Sequence, residues 1–288
     1  MGELIPLFPL GTPLFPGVVL PLQIFEPRYR RLMRDLLSHP EAGDRRFFGV
    51  VAIRQGWEVE AVSPAEALYD IGCVARVQAV RPQRDGGFRI VTVGGERFRL
   101  LDVVVGDEPP YLQAEVEWLA EEEAAEEAAG NTDGLVIPGT PGAPSDICDE
   151  QLDEVVASVA RGSMDLLSRG VRTLFTRYVA EVAGLSSGGA LGSDADHDED
   201  GEDDEPMVDA ETAVLLGAVA DDPKALSYLV ASAALLTTED RQSLLAESAT
   251  RRRLAIETRL LRRELTLLQT LGAVPVPLRQ FASPMTVN

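Results

Sequence analysis

The sequence predicts an α+β chain, with a β-rich front that makes a small barrel or folded sheet and a helical bundle behind it. Three observations carry this expectation. Tyr111 to Leu119 alternates, with Leu112, Ala114, Val116 and Trp118 on an apolar face and Gln113, Glu115 and Glu117 on a wet one. Asp85-Gly86-Gly87 is turn chemistry between two β-branched runs. From Gln151 to Ala183, residues such as Leu152, Val155, Val156, Leu166, Leu167, Val171, Phe175, Tyr178 and Val182 keep helical spacing for about eight turns.

Element by element, Val18 to Phe25 is an apolar run broken by Pro21. A proline cannot donate to a ladder, so this strand belongs at an edge or a bend. Glu26-Pro27 then opens a helix, because proline's missing N–H is no loss at the first helical position. Tyr29, Leu32, Met33, Leu36 and Leu37 recur as one buried helical stripe. Phe47 to Arg54 and Leu68 to Val80 read as strands, Cys73–Val80 and Phe88–Val93 as a hairpin, and Arg97 to Val105 as a further, separate strand.

The composition shifts at Ala120. Residues 120–149 run from acidic Ala/Glu to Gly- and Pro-rich sequence and read as a linker or insertion. The expected division is 1–119 β-rich, 120–149 linker, 150–184 long amphipathic helix, 185–208 acidic and disordered, 209–272 helical, and 273–288 an extended tail. In the helical part, Asp222-Pro223 has the form of an N-cap with proline after it, and Thr237-x-x-Asp240 that of a capping box. The last helix puts Leu254, Leu261, Leu265 and Leu268 on one face and Arg251, Arg252, Arg262 and Arg263 on the solvated ones.

Charge narrows the function classes. Lys+Arg number 26 against 47 for Asp+Glu, a net −21. Nine of those carboxylates lie between Ser193 and Glu205, yet the rest of the chain is still acidic. Such a balance argues against nucleic acid and anionic membranes as partners. No apolar stretch approaches the roughly 20 residues of a membrane span, and the N-terminus does not read as a secretory leader. Cys73 and Cys148 are far apart and match no metal spacing, as expected of reduced cytoplasmic thiols.

The chemical motifs fall short one by one. Gly184-Leu185-Ser186-Ser187-Gly188 spells a nucleophile elbow, but that chemistry needs a strand-to-helix turn and a histidine base. Here it follows a predicted helix and opens the acidic run, and only His39 and His197 exist. Asp196 to Gly201 spells half a calcium loop, whose twelfth position is Met207 instead of a bidentate Glu. Lys224, the only lysine, follows Asp-Asp-Pro and cannot belong to a phosphate-binding loop. No catalytic residue, cofactor or metal site is expected.

Ile5-Pro6-Leu7-Phe8-Pro9-Leu10, Leu14-Phe15-Pro16-Gly17, and Leu20-Pro21-Leu22 to Ile24-Phe25-Glu26-Pro27-Arg28-Tyr29 resemble the N-terminal substrate-binding domain of Lon-type ATP-dependent proteases. Ile71 to Ala75, Gly94 to Phe98, Leu226-Ser227-Tyr228 and Asp240 to Leu245 fit the same pattern. The resemblance implies a PUA-like β-barrel followed by a helical bundle, without the family's ATPase and Ser–Lys peptidase. It implies binding of unfolded or degradation-bound polypeptides, as adaptor or regulator of a cytoplasmic ATP-dependent protease. Self-association is left open.

Phe8, Phe15, Phe25, Arg28 and Tyr29 are the candidate polypeptide contacts, with at least half of the apolar ones expected to be packing. Glu26, Arg28 and Arg97 are read as structural ion-pair formers in preference to ligand contacts. Two rival classes stand beside this one: an RNA-binding PUA-like protein, and a hydrolase with an unrecognised site.

Overall fold

The computed structural model describes residues 2–38, 46–54, 66–106, 108–120, 149–188 and 210–271; for 149–161, 186–188 and 210–212 it describes the backbone alone. The expected linker, the calcium-like Asp196–Gly201, His39, His197, Cys148 and the tail beyond residue 271 lie outside these residues.

Six strands and six helices follow in order. They are β1 (Glu3–Leu10), β2 (Val19–Ile24), α1 (Pro27–Leu37), β3 (Phe47–Ile53), β4 (Leu68–Pro82), β5 (Phe88–Val104) and β6 (Gln113–Leu119). Then come α2 (Asp149–Gly188), α3 (Ala210–Ala218), α4 (Pro223–Ala233), α5 (Thr238–Ala246) and α6 (Thr250–Leu271). Each N-cap expected in the bundle forms. The Asp222 carboxylate accepts from the Ala225 N–H at 2.9 Å, and Thr237 Oγ1 accepts from the Asp240 N–H at 3.1 Å.

All strand pairs are antiparallel except β1 with β3. Pairing runs β5–β4–β3–β1–β6 and returns from β6 to β5, a barrel-like ring of five strands. Ile5, Leu7, Val51, Val74, Phe98, Ala114 and Val116 come from all five ring strands and meet in one buried cluster, the ring's interior. The six-stranded sheet as a whole is not a closed barrel, because β2 pairs only with β5 and extends outside the ring.

Pro21 fits that edge. Val18 accepts from Gly94 across the β2–β5 ladder at 2.9 Å. Antiparallel alternation then turns the backbone groups of Val19, Pro21 and Gln23 to the open side. A proline at the middle of these three removes a donor from the free edge and blunts it against further pairing.

One expectation fails at β5. Phe88–Val93 and Arg97–Val105 are a single strand that runs through Gly94-Gly95. Gly94 is there for space: a Cβ at this position would sit 1.9 Å from the Phe15 carbonyl oxygen. The glycine pair lets the strand pass the 15–18 turn and change partners, from β2 before it to β6 after it. Trp118 is a second correction, since it is 39% exposed at the strand end instead of in the core. Its ring meets Phe47 and Phe98 edge-on, and Nε1–H donates to Glu3 at 2.9 Å.

β3, the middle of β1 and residues 72–75 of β4 are buried on both faces. Phe8, Phe48, Val50, Cys73 and Ala75 point away from the ring interior into a second core shared with α1, Tyr228 and Ala231 of α4, and Leu244 and Leu245 of α5. The bundle has its own core of Val171, Phe175, Leu226, Leu254, Leu261 and Leu265. Gly94→Ala is expected to destabilise the protein by at least about 2 kcal/mol, because the clash is with backbone that cannot move aside. A urea melt checks this; an unchanged midpoint would contradict the packing described.

Candidate binding surfaces and the barrel–bundle junction

The five candidate contacts separate by burial. Phe8, Phe15 and Tyr29 are 8%, 1% and 5% exposed and belong to the core. The Phe8 ring lies 4.1 Å from Tyr29 and 5.5 Å from Phe48, while Phe15 faces Tyr228 at 6.1 Å. Burial pushes the Tyr29 phenol up, with Arg28 pulling it back and Glu26 adding to the rise. Phe25 is 62% exposed, at the exit of β2. Arg28 sits beside it at the start of α1, paired with Glu26 at 2.9 Å and lying 4.7 Å over the Tyr29 ring. An ion pair this exposed contributes little to stability, about 0–1 kcal/mol. Of the five, only Phe25 and Arg28 therefore expose their side chains.

A second feature is a cavity of about 330 Å³ in the bundle, lined by Phe175, Tyr178, Val179 and Val182 of α2, Leu215 and Leu216 of α3, and residues of α4 and its exit. Its lining is apolar, and the Tyr178 hydroxyl is engaged, accepting from the Leu235 N–H at 3.1 Å. Such a space suits an apolar side chain and offers no charged group for catalysis. Phe175, Tyr178, Val179 and Val182 are one helical stripe in the sequence. Periodicity gives that stripe, whereas the cavity needs three helices in place.

The junction between barrel and bundle is polar at its centre. Arg97, 1% exposed, leaves β5 on the side opposite Phe98. It donates to the carbonyls of Leu245 at 2.8 Å and Glu247 at 3.2 Å and to Ser248 Oγ at 3.2 Å. Arg253 of α6, fully buried, reaches the same turn: to the Glu247 carbonyl at 2.6 Å, Ser227 Oγ at 2.7 Å and Thr250 Oγ1 at 3.1 Å. Its guanidinium also lies 3.9 Å over the Tyr228 ring. These carbonyls are the unsatisfied end of α5, where the helix dipole is negative, so the two cations supply what the helix end lacks. Arg97 is thus structural, as expected, though by bonding backbone carbonyls.

Glu257, one turn beyond Arg253 on α6, is 1% exposed, and neither carboxylate oxygen finds a hydrogen-bond partner among the described residues. Burial drives its pKa well above the usual carboxylate range, with the Arg253 charge pulling it partly back. Elsewhere on the bundle, Asp240 moves the other way. Burial alone would raise it, but Arg263 and Thr237 together outweigh that and hold its carboxyl below the ordinary value.

The chemical motifs gain no site. Gly184–Gly188 continues the backbone of α2, a correction to its expected place after the helix, and no strand leads into it. Among the described residues no three His, Cys, Asp or Glu side chains group as a metal site. No described helix is long and apolar enough to cross a membrane. Cys73 is buried, and its thiol donates to the Gly95 carbonyl at 3.4 Å.

The build is that of a barrel-plus-bundle α+β module, and comparison with known proteins gives it a family. The model of the ATP-dependent protease La (LON) substrate-binding domain matches residues 4–263, so the chain belongs to that family. It is 25% identical over 264 residues to Lon protease 1 of Herpetosiphon aurantiacus, a match covering 90% of this chain and 24% of that protein. It is 33% identical over 114 residues to the Lon protease of Anaeromyxobacter dehalogenans, covering 39% of this chain and 12% of that one. The chain thus spans a quarter or less of the length of these relatives. Among solved structures, the Lon N-terminal domain protein of Xanthomonas campestris superposes with a TM-score of 0.48 at 21% identity. That match covers 90% of this chain and 98% of the other.

Two outcomes test the junction. Arg97→Leu is expected to destabilise by about 2–4 kcal/mol, since the carbonyls at the end of α5 stay buried without their donor; denaturant titration reads it. Glu257 gives a pH signature. Its folded pKa is raised, so its contribution to stability is whole below the unfolded value of about 4.3 and declines as pH rises above it. Glu257→Gln should therefore melt higher than the wild type at pH 8, with the gain shrinking toward pH 4. Thermal melts at both values check the sign.

Proposed function

We propose that this chain is a non-catalytic polypeptide-binding module that serves proteolysis. It recognises unfolded or degradation-bound chains and acts as an adaptor or regulator for an ATP-dependent protease. The observation that carries this reading is the match of residues 4–263 to a family named for substrate binding. Two structural features support it. Phe25 stands exposed beside Arg28, and the bundle holds an apolar cavity open to a side chain. Exposed aromatic surface and concave apolar space are what an unfolded chain offers its own side chains to.

The test is titration of the purified protein against a labelled, permanently unfolded polypeptide, such as reduced and carboxymethylated lactalbumin, with the folded parent as control. The expected result is saturable binding in the micromolar range for the unfolded form alone. Equal binding of folded and unfolded forms, or none to either, would overturn the proposal. In the same assay Phe25→Ser should weaken binding without shifting the melting temperature.

A further inference from the structure

The outer face of β2–β5–β4 carries a pattern that packing does not explain. Cross-strand register aligns Pro21, Val91 and Ala79 in one row, and Gln23, Arg89 and Arg81 in the next. The buried residue between these rows on β5 is Ile90, at 0% exposure, so both rows face out. Val91 on β5 is 36% exposed, Val19 at the start of β2 is 59% exposed, and Phe25 just past its end is 62% exposed. The face is therefore an apolar strip with two arginines across its end.

Arg81 and Arg89 are directly opposite each other on neighbouring strands, a position where like charges destabilise a sheet. Both are exposed, and among the described residues neither guanidinium has an ion-pair partner. The carboxylates of the β4–β5 turn and of the residue before α1 are engaged elsewhere: Asp85 accepts from the Gly87 N–H at 3.0 Å, and Glu26 is paired with Arg28. Arg84 in the same turn, and Arg30 of α1 beside Gly86, add positive charge at this end. The setting makes the cluster conspicuous. Residues 1–119 hold 13 arginines against 16 carboxylates, whereas the remainder holds 13 Lys+Arg against 31. The chain's acidity is thus concentrated in the sequence beyond residue 119.

We infer that the outer face of β2–β5–β4 is a docking surface for polypeptide segments in which an acidic residue adjoins apolar ones. The carboxylate bridges Arg81 and Arg89, and the apolar side chains lie over Val91, Pro21 and Val19. Charge complementarity selects this occupant, and geometry supports it. Strands lie about 4.8 Å apart, so two opposed guanidinium groups can share one carboxylate. The segment lies across the face and not along the edge, because Pro21 removes a donor from the open side of β2. A nucleic acid suits the face less well. Four arginines at one end of a strip of valines and a proline offer no track of phosphate contacts along the strip and no stacking platform. This inference rests on the proposed polypeptide-binding function and names the surface and the substrate class.

The probe is a pair of fluorescein-labelled, C-terminally amidated peptides of alternating valine and glutamate, or alternating valine and lysine, titrated into the full chain. The wild type should bind the glutamate peptide, more weakly at high salt, and discriminate against the lysine one. Arg81→Glu with Arg89→Glu should weaken the glutamate peptide by about tenfold or more and reverse the preference. The variant should melt no lower than the wild type by more than a few degrees, since both side chains are exposed. Unchanged affinity of the double variant for the glutamate peptide would overturn the inference, as would tighter wild-type binding of a single-stranded RNA oligonucleotide than of that peptide. Binding of carboxymethylated lactalbumin that the double variant retains in full would sink this surface and leave the proposed function standing. A wild type that binds neither probe would remove both.

Discussion

The carbonyl of Glu247, just past the end of α5, accepts hydrogen bonds from two buried arginines that come from opposite halves of the molecule. Arg97 reaches it from the barrel and Arg253 from the last helix. Burying two guanidinium groups is costly unless every donor is used, so their surroundings are tightly specified. Ser227, Ser248, Thr250 and the Leu245 carbonyl take further donors, and Tyr228 covers Arg253 with its ring. Moving any of these elements would leave a buried donor or acceptor unmet.

The position of α5 follows from that constraint. Its first turn is tied to the barrel through Thr238 and the Gly11 carbonyl, and its middle through Gln242 and the Ile71 carbonyl. Leu244 and Leu245 complete the core shared by barrel and bundle. With one side of the barrel covered in this way, β3, the middle of β1 and residues 72–75 of β4 are buried on both faces. The β2–β5–β4 corner stays open, and Val19, Phe25, Val91, Arg81 and Arg89 are exposed there. Surface available for a partner is thus a consequence of where the bundle docks.

How much of this the sequence reveals depends on the range of the interaction. Pro21 at an edge strand, the Tyr29–Leu32–Met33 stripe, the Gly86 turn and the caps at Asp222 and Thr237 are local, and all are legible from a few neighbouring residues. Gly94-Gly95 misleads because paired glycines look like a turn, whereas here they let one strand pass close to Phe15. Which of the aromatic candidates pack is not legible from neighbouring residues: Phe8 and Phe15 both close the core, against Tyr29 and Tyr228. Arg97 and its partners are about 150 positions apart in sequence, so composition and periodicity reveal the charge without its destination. The opposed Arg81 and Arg89 become visible only when the register of two strands is known.

The central claim is that the buried arginines make barrel and bundle one cooperative unit. Both tryptophans, Trp57 and Trp118, lie within residues 1–119, while the longest helices lie beyond residue 148. Urea unfolding followed in one sample by tryptophan fluorescence and by helical ellipticity therefore reads the two halves separately. The account predicts coincident transitions with a single midpoint and slope. A helical transition that precedes the fluorescence change, leaving a folded barrel behind, would contradict it.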